Sequence, residues 1–341
     1  MISGGFERKK EEIMERFIAV DNVCAWPNLT HLPDGTIHTT LFNQPTHGGW
    51  EGDVECWASV DEGHTWTLRG VPAPHEPTTA RMNVAAGLAR DGSMIVIASG
   101  WSRRNPVGDY TSPHEGKVLD NWVCRSTDGG ASWSHEETLT KPDDKGIGCI
   151  PFGDIDGQTD GSLGVCIYSG TNKAGNQSCY LTRQDQGRSR SRKSIIECSI
   201  SNETAPLVVP DGSILAVART SVEQHLELHR STYLGATWQA QCPLTLFGQI
   251  PAHLLALADG RVLLSYGLRN KGLHGVATRI RDYDGKTWNA PRIIVNYGRD
   301  VDGGYPSSVQ CADGTIVTAY YCAGIETHLR YHMGVVRWSA D

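Results

Sequence analysis

Six Asp-Gly pairs, each between two apolar runs, recur at intervals of 48 to 69 residues along the whole chain. They are Asp34-Gly35, Asp91-Gly92, Asp160-Gly161, Asp211-Gly212, Asp259-Gly260 and Asp313-Gly314. Asp-Gly is typical of a tight type I′ turn, and flanking runs such as VVPDGSILAVA alternate as β-strands do. Six hairpins of one design predict six similar modules.

A second turn motif, S-x-D-x-G-x-x-W, follows the Asp-Gly hairpin in most modules. Residues 59–66 and 126–133 match it in full, and weaker copies end at Trp238 and Trp288. In such a turn the Ser and Asp side chains bond backbone amides and the Trp packs into the sheet. We therefore expect a folding element and assign its aspartates no catalytic role. The third module has RQDQGRSRS in its place.

Two hairpins per module make a four-stranded antiparallel sheet, and sheets of that size hide their edges best when stacked around an axis. The repeats therefore predict an all-β, six-bladed β-propeller as a single domain over residues 1–341, with a charged N-terminal extension at residues 1–15. Residues 16–21 are expected to supply the outer strand of the last blade. The expected blades are at about 26–70, 82–138, 149–195, 203–243, 250–293 and 303–339.

Composition excludes some partners. A formal net charge of -7 argues against nucleic acid, because neutralising phosphates needs a basic surface. No apolar run reaches signal-peptide length or the ~18 residues of a membrane span, so we expect no membrane partner. The expected location is the cytoplasm, or outside the cell if a leader has been removed.

Neither a cofactor nor a metal is expected. The ten cysteines form no C-x-x-C pair, and we interpret most of them as buried thiols. The chain has no H-E-x-x-H motif, and His328 and His332 are interpreted as ordinary surface residues.

Propeller geometry places the Asp-Gly turns and the S-x-D-x-G-x-x-W turns on one face, so the remaining loops share the opposite face. Those loops are rich in Arg, acidic residues and Tyr, which suits a small anionic or polyhydroxylated ligand. The polar candidates are His47, Glu51, Asp53, His75, Arg81, Asn83, Arg103, Arg104, Glu203, Arg219, Gln249, His253, Arg269, Asp302 and Tyr305.

The S-x-D-x-G-x-x-W repeats are Asp boxes, and from about residue 20 to its end the chain resembles the sialidase (neuraminidase) superfamily. Sialidases use a Tyr nucleophile, and the resemblance implies a Glu that activates it, an acid/base Asp and three substrate-binding Arg. In SNETAPLVVPDGSILAVART it assigns the activating role to Glu203 and a carboxylate-binding role to Arg219. In GYPSSVQCADG it assigns the nucleophile to Tyr305, and Arg269 of LLSYGLRN resembles another carboxylate-binding Arg.

The first module departs from the family pattern. Where sialidases have Arg-Ile-Pro, this chain has Ala25-Trp26-Pro27, and TLFNQ stands where a second Arg is expected. Trp26 is a candidate for stacking on a sugar face. Arg81, Arg103 and Arg104 are candidates to complete the Arg set from neighbouring loops.

The acid/base is expected in the loop PTHGGWEGDVECW. Asp53 is favoured because the family uses Asp, with Glu51 next and His47 as a substrate contact. The alternative for Asp53 is a cap at the start of a strand.

These residues favour a retaining exo-glycoside hydrolase of the exo-α-sialidase type acting on a small-molecule or glycan substrate with an acidic sugar. Two alternatives stay open: a related glycosidase for a different acidic or neutral sugar, and a non-catalytic propeller that binds glycan or protein.

Overall fold

The computed structural model describes residues 14–103, 116–139, 148–169, 176–188, 192–198, 200–282, 285–298 and 302–340. These ranges contain 24 β-strands, one short 3₁₀ turn at Asp185–Gly187 and no α-helix. The prediction of an all-β chain is confirmed. In the described part of the chain, no helix has the length and apolar character needed to cross a membrane.

Four of the sheets are four-stranded antiparallel blades. One contains β2 (Cys24–His31), β3 (Ile37–Phe42), β4 (Val54–Ser59) and β5 (Thr67–Ala73). The second contains β14 (Ser201–Val208), β15 (Ile214–Thr220), β16 (Leu226–Ser231) and β17 (Gln239–Pro243). The third contains β18 (Gln249–Ala256), β19 (Val262–Asn270), β20 (Leu273–Arg281) and β21 (Arg292–Asn296). The fourth contains β22 (Gly304–Gln310), β23 (Ile316–Ala323), β24 (Tyr331–Trp338) and, outermost, β1 (Glu15–Asp21).

The remaining strands form one eight-stranded sheet, so the prediction of six separate four-stranded blades is wrong. It contains β6 (Thr79–Leu88), β7 (Met94–Ser102), β8 (Asn121–Ser126), β9 (Ser134–Leu139), β10 (Cys149–Gly157), β11 (Leu163–Ser169), β12 (Ser178–Arg183) and β13 (Arg192–Ile195). The four-stranded sheets are thus four blades of a propeller-like arrangement, and the second and third predicted modules are joined.

The join is a short parallel pairing of β6 with β10, in which Gly153 to Ile155 lie opposite Ala85 to Gly87. Gly153 has φ of 78°, and the pairing of β10 with β11 shifts register between Phe152 and Ile155. Such a bulge bends a strand and releases its backbone groups from the regular ladder. Gly87 permits the close approach, because a Cβ there would lie 2.3 Å from the Ile155 carbonyl oxygen.

All six Asp-Gly pairs lie at hairpin turns, as predicted, but the turn type differs. In each pair only the glycine has positive φ, between 80° and 91°. Gly35 N–H donates to the Leu32 carbonyl at 3.0 Å, and Asp34 Oδ1 accepts from Thr36 N–H at 2.9 Å. The predicted type I′ turn is therefore wrong: the turn is type I followed by a left-handed glycine.

The Asp box between β4 and β5 has the predicted structural role. Ser59 Oγ accepts from Gly63 N–H at 2.8 Å, and Asp61 Oδ1 accepts from Thr65 N–H at 2.9 Å. Trp66 is buried, and its Nε1–H donates to the Gly63 carbonyl at 2.9 Å. These bonds satisfy the turn's own backbone groups, and the box contributes no group to the site described below.

The N-terminal strand closes the last blade, as predicted for residues 16–21. β1 pairs antiparallel with β24, and Arg16 Nε–H donates to Tyr320 Oη at 2.7 Å. The interpretation of His332 as a surface residue is wrong, because its ring is 3% exposed beside Cys322. Burial of most cysteines is confirmed, since eight of the ten are buried.

Candidate active site

The first strands of the hairpins, β2, β6, β10, β14, β18 and β22, contact one another in a closed ring. Each shifts register against the second strand of its hairpin, close to where it starts in five of them and near the middle in β10. Bulges re-aim side chains out of the regular alternation. Trp26, Glu203 and Tyr305 lie in three of these bulges. The structure thus brings side chains from distant parts of the sequence to one end of the ring.

Tyr305 and Glu203 form a buried pair, 6% and 7% exposed. Tyr305 Oη donates to Glu203 Oε1 at 2.7 Å. Burial raises the pKa of Tyr305 to about 12, and the charge of Glu203 acts in the same direction. The phenol is therefore neutral at rest, with a carboxylate in position to accept its proton.

Tyr305 occupies a strained backbone position. Its φ is 46°, and the preceding Gly304 has φ of 83°. Non-glycine residues at positive φ are uncommon and cluster at functional sites. The register shift between Gly304 and Ser307 accommodates the extra residue and turns the phenol toward Glu203.

Arg219, which lies near the end of β15, binds both members of the pair. Its Nη1 donates to Glu203 Oε2 in a very short contact and to Tyr305 Oη at 3.2 Å. Burial acts to lower the pKa of Arg219, but the charges of Glu203 and Tyr305 outweigh it and raise the pKa above its ordinary value. The guanidinium stays charged and would stabilise a phenolate at Tyr305.

Arg269, near the end of β19, covers the other side of the tyrosine. Its Cζ lies 5.2 Å from the centre of the Tyr305 ring. Its Nε and Nη2 are buried and have no hydrogen-bond partner among the residues that the structure describes. Buried donors that lack a partner are costly unless an acceptor arrives. Planar guanidinium groups bind carboxylates with matching geometry, so this one can receive an acidic ligand.

An aromatic and acidic network flanks the pair. The ring of Trp26 packs edge-on against His47 at 4.9 Å and Tyr305 at 5.9 Å between centroids. His47 Nδ1 lies 2.6 Å from Asp302 Oδ2, and Tyr321 Oη donates to Asp302 Oδ1 at 2.7 Å. Burial acts to raise the pKa of Asp302, but its hydrogen bonds, that with His47 foremost, hold it well below the usual range. His47 and Trp26 therefore lie in one cluster of side chains with Tyr305 and Asp302.

Asp53 and Glu51 meet at His75. Asp53 Oδ1 accepts from His75 N–H at 2.7 Å and lies 2.6 Å from its Nδ1. Glu51 Oε2 accepts from Thr78 N–H at 3.0 Å and lies 3.8 Å from His75 Nε2. Asp53 does not cap its own strand in these contacts, and its acid/base role stays a prediction.

Two further predicted residues, Arg81 and Gln249, have contacts outside the cluster around Tyr305 and Glu203. The buried guanidinium of Arg81 binds Glu76 at 2.6 Å and packs 4.0 Å from the centre of the Trp122 ring. Gln249 Oε1 accepts from Leu246 N–H at 3.0 Å. Their substrate-binding roles stay predictions. Arg103 Nη1 donates to the Gly48 carbonyl at 2.9 Å, and Arg104 lies outside the described residues.

A cavity of about 30 Å³ lies beside Tyr305. Trp26, Phe152 and His253 are among its lining residues. His253 Nε2 lies 3.1 Å from Asp154 Oδ2. The space is enough for about one water molecule.

A family model described as BNR repeat-like domain matches residues 53–318 of the sequence. The chain belongs to this family. Comparison with curated proteins found no match.

Several solved structures share the fold of this BNR repeat-like protein. A protein of unknown function from Dyadobacter fermentans DSM 18053 superposes with a TM-score of 0.81 at 22% identity, covering 95% of this chain and 98% of that one. The Hadza microbial sialidase Hz136 gives a TM-score of 0.71 at 15% identity, over 92% and 65% of the two chains. The intramolecular trans-sialidase from Ruminococcus gnavus, in complex with oseltamivir carboxylate, gives 0.68 at 13% identity, over 92% and 94%. At these identities the likeness establishes a shared sialidase-like fold.

Tyr321 and Tyr331 belong to the site of this BNR repeat-like protein but were not among the sequence candidates. Both donate to Asp302 at 2.7 Å. A signal for Tyr321 was present, because it lies toward the end of β23, as Arg219 and Arg269 do in β15 and β19. A signal for the bulges was present too: Trp26 and Tyr305 each precede a proline, which interior strand positions disfavour.

Proposed function

We propose that this protein is a retaining exo-glycoside hydrolase of the exo-α-sialidase type, with Tyr305 as nucleophile and Glu203 as its base. The observation that carries the proposal is the buried hydrogen bond from Tyr305 Oη to Glu203 Oε1 at 2.7 Å. A protein that only binds glycan has no need of a phenol with a proton acceptor in place.

In the proposed first step, Tyr305 Oη attacks the anomeric carbon while its proton passes to Glu203. The bond to the leaving oxygen breaks, and Asp53 donates a proton to that oxygen. Arg219, which donates to both Tyr305 and Glu203, lowers the cost of negative charge on the phenolic oxygen. In the second step Asp53 takes a proton from a water that attacks the anomeric carbon on the face opposite Tyr305. The bond from that carbon to Tyr305 Oη breaks, Glu203 returns the proton to the phenolic oxygen, and the two inversions together retain the anomeric configuration.

A neutral nucleophile suits an acidic substrate. A carboxylate nucleophile would repel a substrate carboxylate next to the reacting carbon, whereas the phenol of Tyr305, with a pKa of about 12, does not. The unsatisfied Nε and Nη2 of Arg269 supply the matching donors for that carboxylate. The face of Trp26 offers an apolar surface to the sugar ring.

The relatives support this assignment by analogy. Solved proteins of the same fold include a Trypanosoma rangeli sialidase in complex with 2,3-difluorosialic acid, described as a covalent intermediate, at 12% identity and a TM-score of 0.70. This chain covers 54% of that protein. A covalent intermediate is what a tyrosine nucleophile in a retaining enzyme requires.

The test is release of fluorophore from a 4-methylumbelliferyl α-sialoside, run beside a panel of other aryl glycosides. We expect turnover by the wild type and loss of at least a thousandfold in kcat for Tyr305→Phe, which removes only the attacking oxygen. Tyr266→Phe is the matched control, because Tyr266 is buried in the core and its hydroxyl has no partner among the described residues. Equal activity of the two variants would contradict the proposal.

Replacement of Arg269 tests whether the substrate sugar is acidic. Arg269→Met keeps the apolar stem over Tyr305 but removes the charge, so kcat/KM for an acidic sugar should fall about tenfold to a hundredfold, the worth of one charge-assisted hydrogen bond. A wild type that cleaves only another glycoside, with no loss on this replacement, would favour a different sugar. No turnover across the panel would favour a glycan-binding protein.

A further inference from the structure

The strand β16 carries a second cluster of reactive side chains that the proposed catalysis does not use. Glu227 and His229 stand two positions apart on β16, and alternate residues of a strand point to one face. His225 lies one residue before the strand begins. Leu226 and Leu228 point the other way into the apolar core. The chain segment between β13 and β14 covers this face of β16. Polar side chains at a covered position are uncommon unless they have a partner or a function.

Cys198, in the segment between β13 and β14, faces this strand. Its Sγ–H donates to Glu227 Oε2 at 3.0 Å. His229 Nε2 lies 3.8 Å from the same oxygen, beyond hydrogen-bonding distance. The donor atoms of Cys198, Glu227 and His229 all lie within 4.8 Å of one another. The ligands of a tetrahedral zinc ion stand about 3.5 Å apart, so the three atoms need only small movements to share one ion.

His229 is the observation that favours a ligand. It is 1% exposed, and neither ring nitrogen has a hydrogen-bond partner among the residues that the structure describes. Buried polar atoms are almost always paired, so an orphaned ring aimed at a carboxylate and a thiol indicates a missing partner.

The residues that pair with this part of β16 are small, and the cluster is partly exposed to solvent. Ala216 of β15 and Ala240 of β17 lie opposite His229, and Ala218 lies opposite Glu227. The side chain of Glu227 is 31% exposed, so the cluster opens to solvent on one side. His225 Nε2 lies 3.2 Å from Glu227 Oε1 and can orient the carboxylate, as outer hydrogen-bond partners of metal ligands do.

We propose that Cys198, Glu227 and His229 form a binding site for a zinc-like divalent transition metal, with water in the fourth position. A thiolate, a carboxylate and an imidazole are ligands that zinc accepts, whereas calcium and magnesium prefer oxygen alone. Binding displaces the Cys198 thiol proton to solvent. The ion would link the segment after β13 to β16, and so fasten the eight-stranded sheet to the neighbouring blade.

The test titrates the full chain, first freed of metal with a chelator, with Co²⁺, whose bond to a thiolate gives a charge-transfer absorption band. We expect one equivalent to produce the band and Zn²⁺ to displace it. Cys198→Ser should abolish the band, and Glu227→Gln should weaken binding at least tenfold. Cys242→Ser is the matched control, because Cys242 is exposed. In the strand register Cys242 lies opposite Leu228, whose side chain points to the other face of β16 from Glu227 and His229.

Alkylation of the wild type, mapped by mass spectrometry, gives a second reading that needs no variant to fold. Zn²⁺ should slow labelling of Cys198 at least tenfold and leave that of Cys242 unchanged. The proposal is overturned if the wild type binds no stoichiometric Co²⁺, if Cys198→Ser binds as Cys242→Ser does, or if Zn²⁺ fails to protect Cys198.

Discussion

Burial and neighbouring charges set the protonation state of individual side chains in this site. Tyr305 is kept neutral by burial, and Arg219 is kept charged by its neighbours, so one buried cluster holds a proton donor, an acceptor and a cation together. Such arrangements are costly to fold, and they persist where function requires them. Asp156, on β10, is another ionisable group of interest, because its Oδ2 is buried and has no hydrogen-bond partner among the described residues. Its effect can be measured on stability.

Asp156 predicts a pH dependence of folding. Burial, with a smaller contribution from Asp154, raises the pKa of Asp156 to about 8, whereas in the unfolded chain it is about 3.9. Its contribution to stability is fully present below the unfolded pKa and is lost as the pH rises through the folded pKa, because folding then takes up a proton. The stability of Asp156→Asn relative to the wild type should therefore increase from pH 5 to pH 8, by a few kcal/mol at about 1.4 kcal/mol per pH unit.

Urea unfolding at the two pH values measures this change. Asp160→Asn is the control, because Asp160 lies in a turn where its hydrogen bond from the Ser162 side chain lowers its pKa. Both its folded and unfolded forms are ionised from pH 5 to pH 8, so its effect should not vary with pH. A pH-independent difference between Asp156→Asn and the wild type would show that Asp156 is ionised in the fold.

At the scale of elements, the bulged starts of the inner strands do the positioning. A regular strand would alternate its side chains between the two faces of the sheet, and the extra residues at Trp26, Glu203 and Tyr305 break that alternation. In β10 the same device turns backbone groups toward β6 and creates the parallel pairing. One local irregularity therefore accounts both for the site and for the joining of two modules into one sheet.

The pairing of β6 with β10 predicts that replacing each of two glycines with alanine changes the free energy of unfolding by different amounts. Gly87→Ala should destabilise the fold by about 1–3 kcal/mol, because its Cβ would lie 2.3 Å from the Ile155 carbonyl oxygen and the strands would have to separate. Gly157→Ala, on β10, places its Cβ in open space, so its free energy of unfolding should change by less than about 1 kcal/mol. Thermal unfolding with calorimetry compares them, and similar Tm values would mean that the close approach is absent.

At the scale of the whole molecule, the first and last described strands lie in one sheet. β1 is the outermost strand of the blade formed by β22, β23 and β24, so the first described strand completes the last module. Val20 of β1 packs in an apolar cluster with Met333 of β24. Because non-local contacts of this kind close the ring of sheets, their loss should affect the stability of the whole fold.

Two positions on β1 test this closure. A register shift between Ile18 and Val20 leaves Val20 5% exposed and Ile18 45% exposed. Val20→Asp should cost about 3 kcal/mol or more, because it buries an unpaired charge, whereas Ile18→Asp should cost less than about 1 kcal/mol. Chemical denaturation monitored by tryptophan fluorescence measures both. A small effect of Val20→Asp would show that β1 detaches at little cost.

The sequence alone determined the positions of the six Asp-Gly turns and the all-β class of the fold. Asp-Gly pairs and Asp boxes act through short-range backbone preferences and hydrogen bonds, so the six hairpins, the all-β class and the strand at residues 16–21 could be predicted from it. The resemblance carried by the residues around Asp211-Gly212 and before Asp313-Gly314 was enough to pair Glu203 with Tyr305, although 102 positions separate them.

Only the tertiary structure decided what depends on close approach between distant segments. The parallel pairing of β6 with β10, the orphaned donors of Arg269 and the packing of Arg81 on Trp122 arise from contacts that no local pattern encodes. The same holds for Cys198 beside Glu227 and His229, whose spacing in the sequence matches no short metal-binding motif. Backbone preferences act over a few residues, whereas burial and pairing depend on which segments the fold brings together.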